Sequence, residues 1–184
     1  MSDILPSKIL KSVLPFLMLP TIMVALYLLK VGQINSFTLI NYEIVAFFGY
    51  IAAIGDLKTK HIPNSLILAM IAAWLCVTIF HMFINIHSAI PSLINSLLGM
   101  LVSGAMFLIV YFLSRKGLGG GDVKFMAIAG LYLGVSGSLT ATFIGTTLAA
   151  LVGFALVAFK KIGRKDTFPL APFLYAGILV TILA

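Results

Sequence analysis

A chain of 184 residues that is 61% hydrophobic and 9% charged, with a mean hydropathy of +1.17, is far more apolar than a soluble domain, which is about half apolar and a quarter charged. A water-soluble fold of this size still exposes about a third of its surface, so this composition excludes an ordinary soluble enzyme and a disordered chain. The net charge of +7 sits in short basic clusters between apolar runs, which fits membrane orientation and anionic lipid and excludes nucleic acid as the partner.

The expected fold is all-α, a polytopic membrane bundle of about seven helices. A bilayer core of about 30 Å takes roughly 20 apolar residues per helix. An open sheet would leave its edges unsatisfied in lipid, and these runs are continuously apolar where barrel strands alternate. In chain order the runs fall at 12–29, 40–55, 65–84, 93–113, 123–136, 138–159 and 170–184. The first is long and has no small-x-small cleavage site after it, so it reads as an uncleaved helix. Cys76 lies inside the third run and reads as a small core residue. The fourth to sixth runs are rich in glycine, and Gly130 and Gly134 stand at the GxxxG spacing of close helix packing. The fifth and seventh runs are short for a full crossing, which suits little tilt, local thinning of the bilayer, or a start inside a protein-lined cavity. The whole chain, 1–184, reads as one membrane domain, with an additional N-terminal helix in 1–39 ahead of a core at 40–184.

Charge sets the expected orientation. With the N-terminus on the cytoplasmic side, that side holds Lys8, Lys11, Lys58, Lys60, Arg115, Lys116, Lys124, Lys160, Lys161, Arg164 and Lys165, all of the 12 basic residues except Lys30. This is the positive-inside pattern of a multi-pass protein in a plasma (inner) membrane.

The five acidic residues differ in setting. Asp3 is near the terminus, Glu43 near the outer end of the second run, and Asp166 in a basic loop where pairing gains little. Asp56 ends the apolar stretch Ile51-Ala52-Ala53-Ile54-Gly55. Asp122 follows Gly117-Leu118-Gly119-Gly120-Gly121 and opens the next run. Both fall at the cytoplasmic boundary, where an ionisable group is costly unless paired, hydrated or used. Alone, each reads as a helix cap or an interfacial charge, and Asp122 is well placed as an N-cap. Two converging carboxyls can hold a water and share a proton, one as general base and the other as general acid. Gly119, Gly120 and Gly121 would clear an approach for an extended peptide. The glycine run lacks the Gly-x4-Gly-Lys-Ser/Thr pattern of a phosphate loop.

Gly55-Asp56-Leu57-Lys58-Thr59-Lys60-His61-Ile62-Pro63-Asn64 resembles the first aspartate motif of type IV prepilin peptidases. Gly117-Leu118-Gly119-Gly120-Gly121-Asp122-Val123-Lys124 is similar to their second, GxGD followed by a hydrophobic residue and lysine. The downstream Ala127–Gly134 stretch and Pro169-Leu170-Ala171-Pro172-Phe173-Leu174 also resemble the family. The resemblance covers roughly 40–184. It implies an intramembrane aspartic endopeptidase that removes short basic leaders from pilin-like precursors at the cytoplasmic face, with Asp56 and Asp122 as the catalytic pair. Larger members of the family also methylate the new N-terminus and carry paired CxxC metal motifs in an added domain. One cysteine in this chain implies the peptidase without the methyltransferase, similar to the short enzymes of Tad/Flp pilus systems, and no cofactor or metal.

Pro63, Asn64 and Lys124 are candidate site-shaping residues. Pro63 and Asn64 read as the turn into the third helix, and Lys124 as a substrate contact or an interfacial anchor. His61 reads as solvated, His81 and His87 as remote from the acids, and Pro169 to Pro172 as lining the cleft or kinking the chain. The rival reading is a small proton-coupled transporter or channel using the two aspartates as relay groups. It predicts acids near the midplane in related halves. Oligomeric state is not legible.

Overall fold

The computed structural model describes residues 19–114, 118–160 and 169–184. Every secondary element among them is a helix: α1 (Leu19–Lys30), α2 (Ser36–Thr59), α3 (Asn64–Ile84), α4 (Ile86–Leu113), α5 (Gly120–Ala158) and α6 (Ala171–Leu183). Four of these, α2 to α5, are long and apolar enough to cross a membrane, and the chain is a multi-pass membrane protein. The start of the first expected run, Lys8, Lys11, Arg115 to Gly117 and the basic cluster at 161–168 with Asp166 lie outside the described residues.

The helices run further than their apolar runs. Asn35 caps α2, its Oδ1 accepting from Phe37 N–H at 3.3 Å, so the helix begins before the predicted residue 40. Asn85 does the same for α4, accepting from Ser88 N–H at 3.2 Å, and that helix carries Pro91 within its first turns. Caps of this kind satisfy amides that otherwise lack partners. Polar residues flanking each run therefore join the helices, which hydropathy alone places outside them.

Residues expected as two helices, 123–136 and 138–159, form α5, which is interrupted at Gly134 (φ 67, ψ −172). Contacts on either side of that residue run in opposite senses. Before it, α5 lies antiparallel to α4: a Cβ on Gly99 would overlap the Gly130 carbonyl oxygen, and one on Gly104 would meet Ala127 at 3.2 Å. Ser103 Oγ reaches the carbonyls of Gly99 (2.8 Å) and Met126 (2.9 Å) across the same seam. Beyond Gly134, α5 lies antiparallel to α6, whose first residue is at the Asp56 end: a Cβ on Gly137 would lie 3.7 Å from Thr181 and one on Gly145 2.9 Å from Leu174. The chain therefore reverses at Gly134, and Asn95 Oδ1 accepts the Val135 N–H there at 3.2 Å. A straight 39-residue helix would reach about 58 Å, twice the hydrocarbon thickness; the reversal makes two spans of it.

The first half of α5 is the centre of the bundle. Val123, Phe125, Met126 and Ile128 through Gly134 are all buried, with α2, α3, α4 and α6 around them. A helix sheathed in protein need not match the bilayer thickness, which accounts for the short fifth run. Tyr132 Oη donates to the Met70 carbonyl of α3. At the end away from the acids, His81 stacks on Phe37 (3.9 Å, 16°) and its Nε2 lies 3.0 Å from Ser88 Oγ, fastening α2, α3 and α4 together. His81 is thus a buried packing residue. Cys76 departs from expectation: it is exposed on α3, because the bundle is too thin for every position of an apolar run to face inward.

Candidate active site

Asp56 lies one turn inside α2, a correction to the reading that it ends the helix. The helix continues through Leu57-Lys58-Thr59 to Lys60, whose N–H donates to the Asp56 carbonyl at 2.8 Å. Lys60 takes the left-handed conformation (φ 51, ψ 34), usually a glycine position and worth about 1–2 kcal/mol of local cost for another residue. The chain then turns across the start of α5. Ile62 is buried, and a Cβ on Gly121 would lie 3.3 Å from its Cβ.

Asp122 is the third residue of α5, and Gly119 is the N-cap. The expected capping role for Asp122 is therefore not the one it takes. Its N–H donates to the Gly119 carbonyl at 3.1 Å, and its carboxyl sits in the first helical turn, where the helix dipole favours negative charge. A Cβ on Gly119 would approach Asp122 Oδ2 to 2.8 Å. The glycine leaves the carboxyl where it is, and a side chain there would push it aside. Gly119→Ala should accordingly lower kcat about tenfold while the fold persists, because a flexible carboxylate yields before backbone does. Turnover and thermal unfolding of the purified variant check this. Wild-type turnover would contradict it.

Asp56 and Asp122 meet. Both carboxyl residues are buried (6% and 9% exposed), and both line one cavity of about 80 Å³ together with Lys60, His61, Ile62, Gly119, Gly120 and Gly121. Asp56 Oδ2 accepts the Ala171 N–H at 3.0 Å. Asp122 Oδ1 is buried without a hydrogen-bond partner among the described residues. Liquid water takes about 30 Å³ per molecule, so the cavity admits water but not an enclosed peptide. At its mouth Lys60, His61, Gly119 and Gly120 are exposed.

All three glycines of the predicted set line the cavity. Pro63, Asn64 and Lys124 do not. Pro63 is the N-cap residue of α3, and Lys124 Nζ donates to Asn64 Oδ1 at 3.0 Å. That bond joins the first turns of α3 and α5, so these residues frame the site from outside. His61 is exposed, as expected, yet forms part of the cavity wall. Glu43 differs from an interfacial acid: both its carboxyl oxygens are buried without partners among the described residues, because α2 begins earlier than predicted and carries it two turns inward. Among the described residues no three His, Cys, Asp or Glu side chains gather as a metal site. A larger cavity, about 650 Å³ between α4 and the second half of α5, is lined by apolar residues and two threonines. It holds no titratable group, whereas the smaller one holds both aspartates.

The Ala171 amide and the walls formed by Lys60 and Ile62 are not singled out by the sequence. A backbone N–H leaves no residue signature, and only the Pro169–Pro172 pattern points to that segment.

Comparison with known proteins converges on the same region. The family model described as the type IV leader peptidase family matches residues 43–154, which include both aspartates. The chain is 29% identical over 134 residues to "Prepilin leader peptidase/N-methyltransferase" of Bacillus subtilis (strain 168), covering 72% of this chain and 51% of that protein. It is 28% identical over 144 residues to a protein of the same name from Burkholderia pseudomallei (strain 1026b), covering 75% and 46%. The chain thus spans about half the length of these curated relatives. No solved structure matches it significantly.

Proposed function

The chain belongs to the type IV leader peptidase family, and on that premise we propose that it is an intramembrane aspartic endopeptidase that removes the basic leader from pilin-like precursors. One observation carries this reading: two buried aspartates from separate helices line a single water-sized cavity whose mouth is framed by exposed glycines. The catalytic roles belong to Asp56 and Asp122, with Gly119, Gly120 and Gly121 giving the peptide room. The positive-inside charge pattern supports an N-terminus and an active site on the cytoplasmic side.

The chemistry follows from the pair. One carboxylate takes a proton from the water held between them as the water oxygen attacks the scissile carbonyl carbon. The other carboxyl, protonated, gives its proton to the carbonyl oxygen. The tetrahedral diol then collapses, the C–N bond breaks, the departing nitrogen receives the first proton, and the second carboxyl recovers its own.

The names of the relatives pair the peptidase with an N-methyltransferase. These 184 residues contain one cysteine and so no CxxC pair, and for this chain we propose cleavage alone. The purified chain in lipid, given a leader-bearing pilin-like precursor, is expected to make one cut that chelators do not slow. It is expected to transfer no methyl group from S-adenosylmethionine to the product. Loss of cleavage on chelation would contradict the two-carboxyl mechanism. Proton flux through proteoliposomes without any cleavage would favour the transporter reading.

A further inference from the structure

We infer that the first amide of α6 is a positioning group of this active site: the Ala171 N–H fixes the Asp56 carboxyl so that it faces Asp122 across the water cavity. The inference rests on the peptidase reading and extends the site to a segment outside the residues matched by the family model.

The first amides of any helix lack intrahelical partners. In α6 the second position is Pro172, which has no N–H, and the Phe173 N–H is used within the turn, donating to the Leu170 carbonyl at 3.0 Å. Of the first three positions, only Ala171 keeps a donor that must look elsewhere. It is fully buried, so water cannot serve it, and its partner is Asp56 Oδ2, 115 positions away in the chain, at 3.0 Å. An unmet donor here would be costly, so the bond is obligatory for both helices.

The α2–α6 seam holds this register. Gly49 of α2 leaves room for the Tyr175 ring, which a Cβ there would approach to 2.7 Å, and Tyr50 packs edge-on against Tyr175 at 6.0 Å. Two turns toward the site, the same seam brings Ala171 to Asp56. With Oδ2 fixed, the carboxyl cannot rotate freely away from the cavity. The dipole at the N-terminus of α6 acts on it in the same sense as the amide. The Pro-x-x-Pro segment thereby gains a physical role: it presents one donor and removes its nearest competitor.

The test removes that one donor. Ala171→Pro lacks the N–H at a position where proline suits a helix start. Because Leu170 is in the helical region (φ −94, ψ −33), which a following proline disfavours, a second variant with an amide-to-ester change at position 171 keeps the shape intact. Each is assayed in lipid beside the wild-type chain on the leader-bearing precursor. The expected result is a fall in kcat of about 10- to 100-fold with KM changed by less than about twofold, the loss of one hydrogen bond to a charged group. Wild-type kcat in the ester variant, or a loss carried wholly by KM, would overturn the inference while leaving the peptidase reading intact. A wild-type chain that cuts no precursor would overturn the peptidase reading itself.

Discussion

Asp56→Asn and Asp122→Asn should each lower turnover of a pilin-like precursor by at least about 10²–10⁴-fold, the range for loss of a positioned acid or base. Asparagine keeps the shape of aspartate, so packing around the cavity is retained. In the Asp56→Asn variant the side-chain amide oxygen can still accept from Ala171, as Asp56 Oδ2 does now. What the substitution removes is the ability to take up and release a proton. Each variant should therefore remain folded in the membrane, with unfolding shifted by no more than about 1 kcal/mol. The double variant should be no slower than the worse single one, because residues that act as a unit are not additive. Either single variant cutting near the wild-type rate would show that the two carboxyls are not the catalytic pair. A purely structural subunit would tolerate both changes.

Gly134→Ala should be a strongly damaging packing change, destabilising the bundle by roughly 2–4 kcal/mol. Its backbone (φ 67, ψ −172) lies in a region essentially reserved for glycine, at a cost of about 1–3 kcal/mol for any other residue. A Cβ there would also overlap Asn95 Nδ2. Moving Asn95 forfeits the bond from Val135 N–H to its Oδ1, worth about 1 kcal/mol. The reversal at this residue sets where the first half of α5 starts and so where Asp122 stands, and activity should fall with stability. Reversible unfolding in mixed micelles measures the effect. Gly153→Ala supplies the comparison, since a Cβ at that position meets nothing within 4 Å and alanine favours helix by up to about 1 kcal/mol. Equal stabilities for the two variants would mean that the chain does not reverse at Gly134.

Much of this molecule is legible before any coordinates, for identifiable reasons. Lipid leaves one way to satisfy a backbone, so runs of apolar residues translate directly into helices. Two aspartates at the ends of such runs stand out because charge is scarce: five acids in 184 residues. The three glycines before Asp122 are readable as space for a peptide, and they line the cavity. Helix ends are not readable from hydropathy, since Asn35 and Asn85 extend helices by capping. Partnerships between distant residues are also hidden. Lys124 and Asn64 each draw notice alone, yet nothing in their spacing announces that they bond to one another. The Ala171 amide is invisible for a deeper reason: any residue except proline supplies the same donor, and only its place in the fold gives it a task.

The two-carboxyl mechanism requires the side chains at positions 56 and 122 of one chain to face each other. Pairwise cysteine replacement, Asp56→Cys with Asp122→Cys in a Cys76→Ser background, tests it directly once a cleavable site is inserted after α3, near Asn85. Cys76 must be removed because it is exposed. After treatment with a short bifunctional maleimide and cleavage at the inserted site, the two halves should stay covalently joined, and only when both cysteines are present. Halves that separate on a denaturing gel, despite labelling at both positions, would place the two side chains apart and contradict the account.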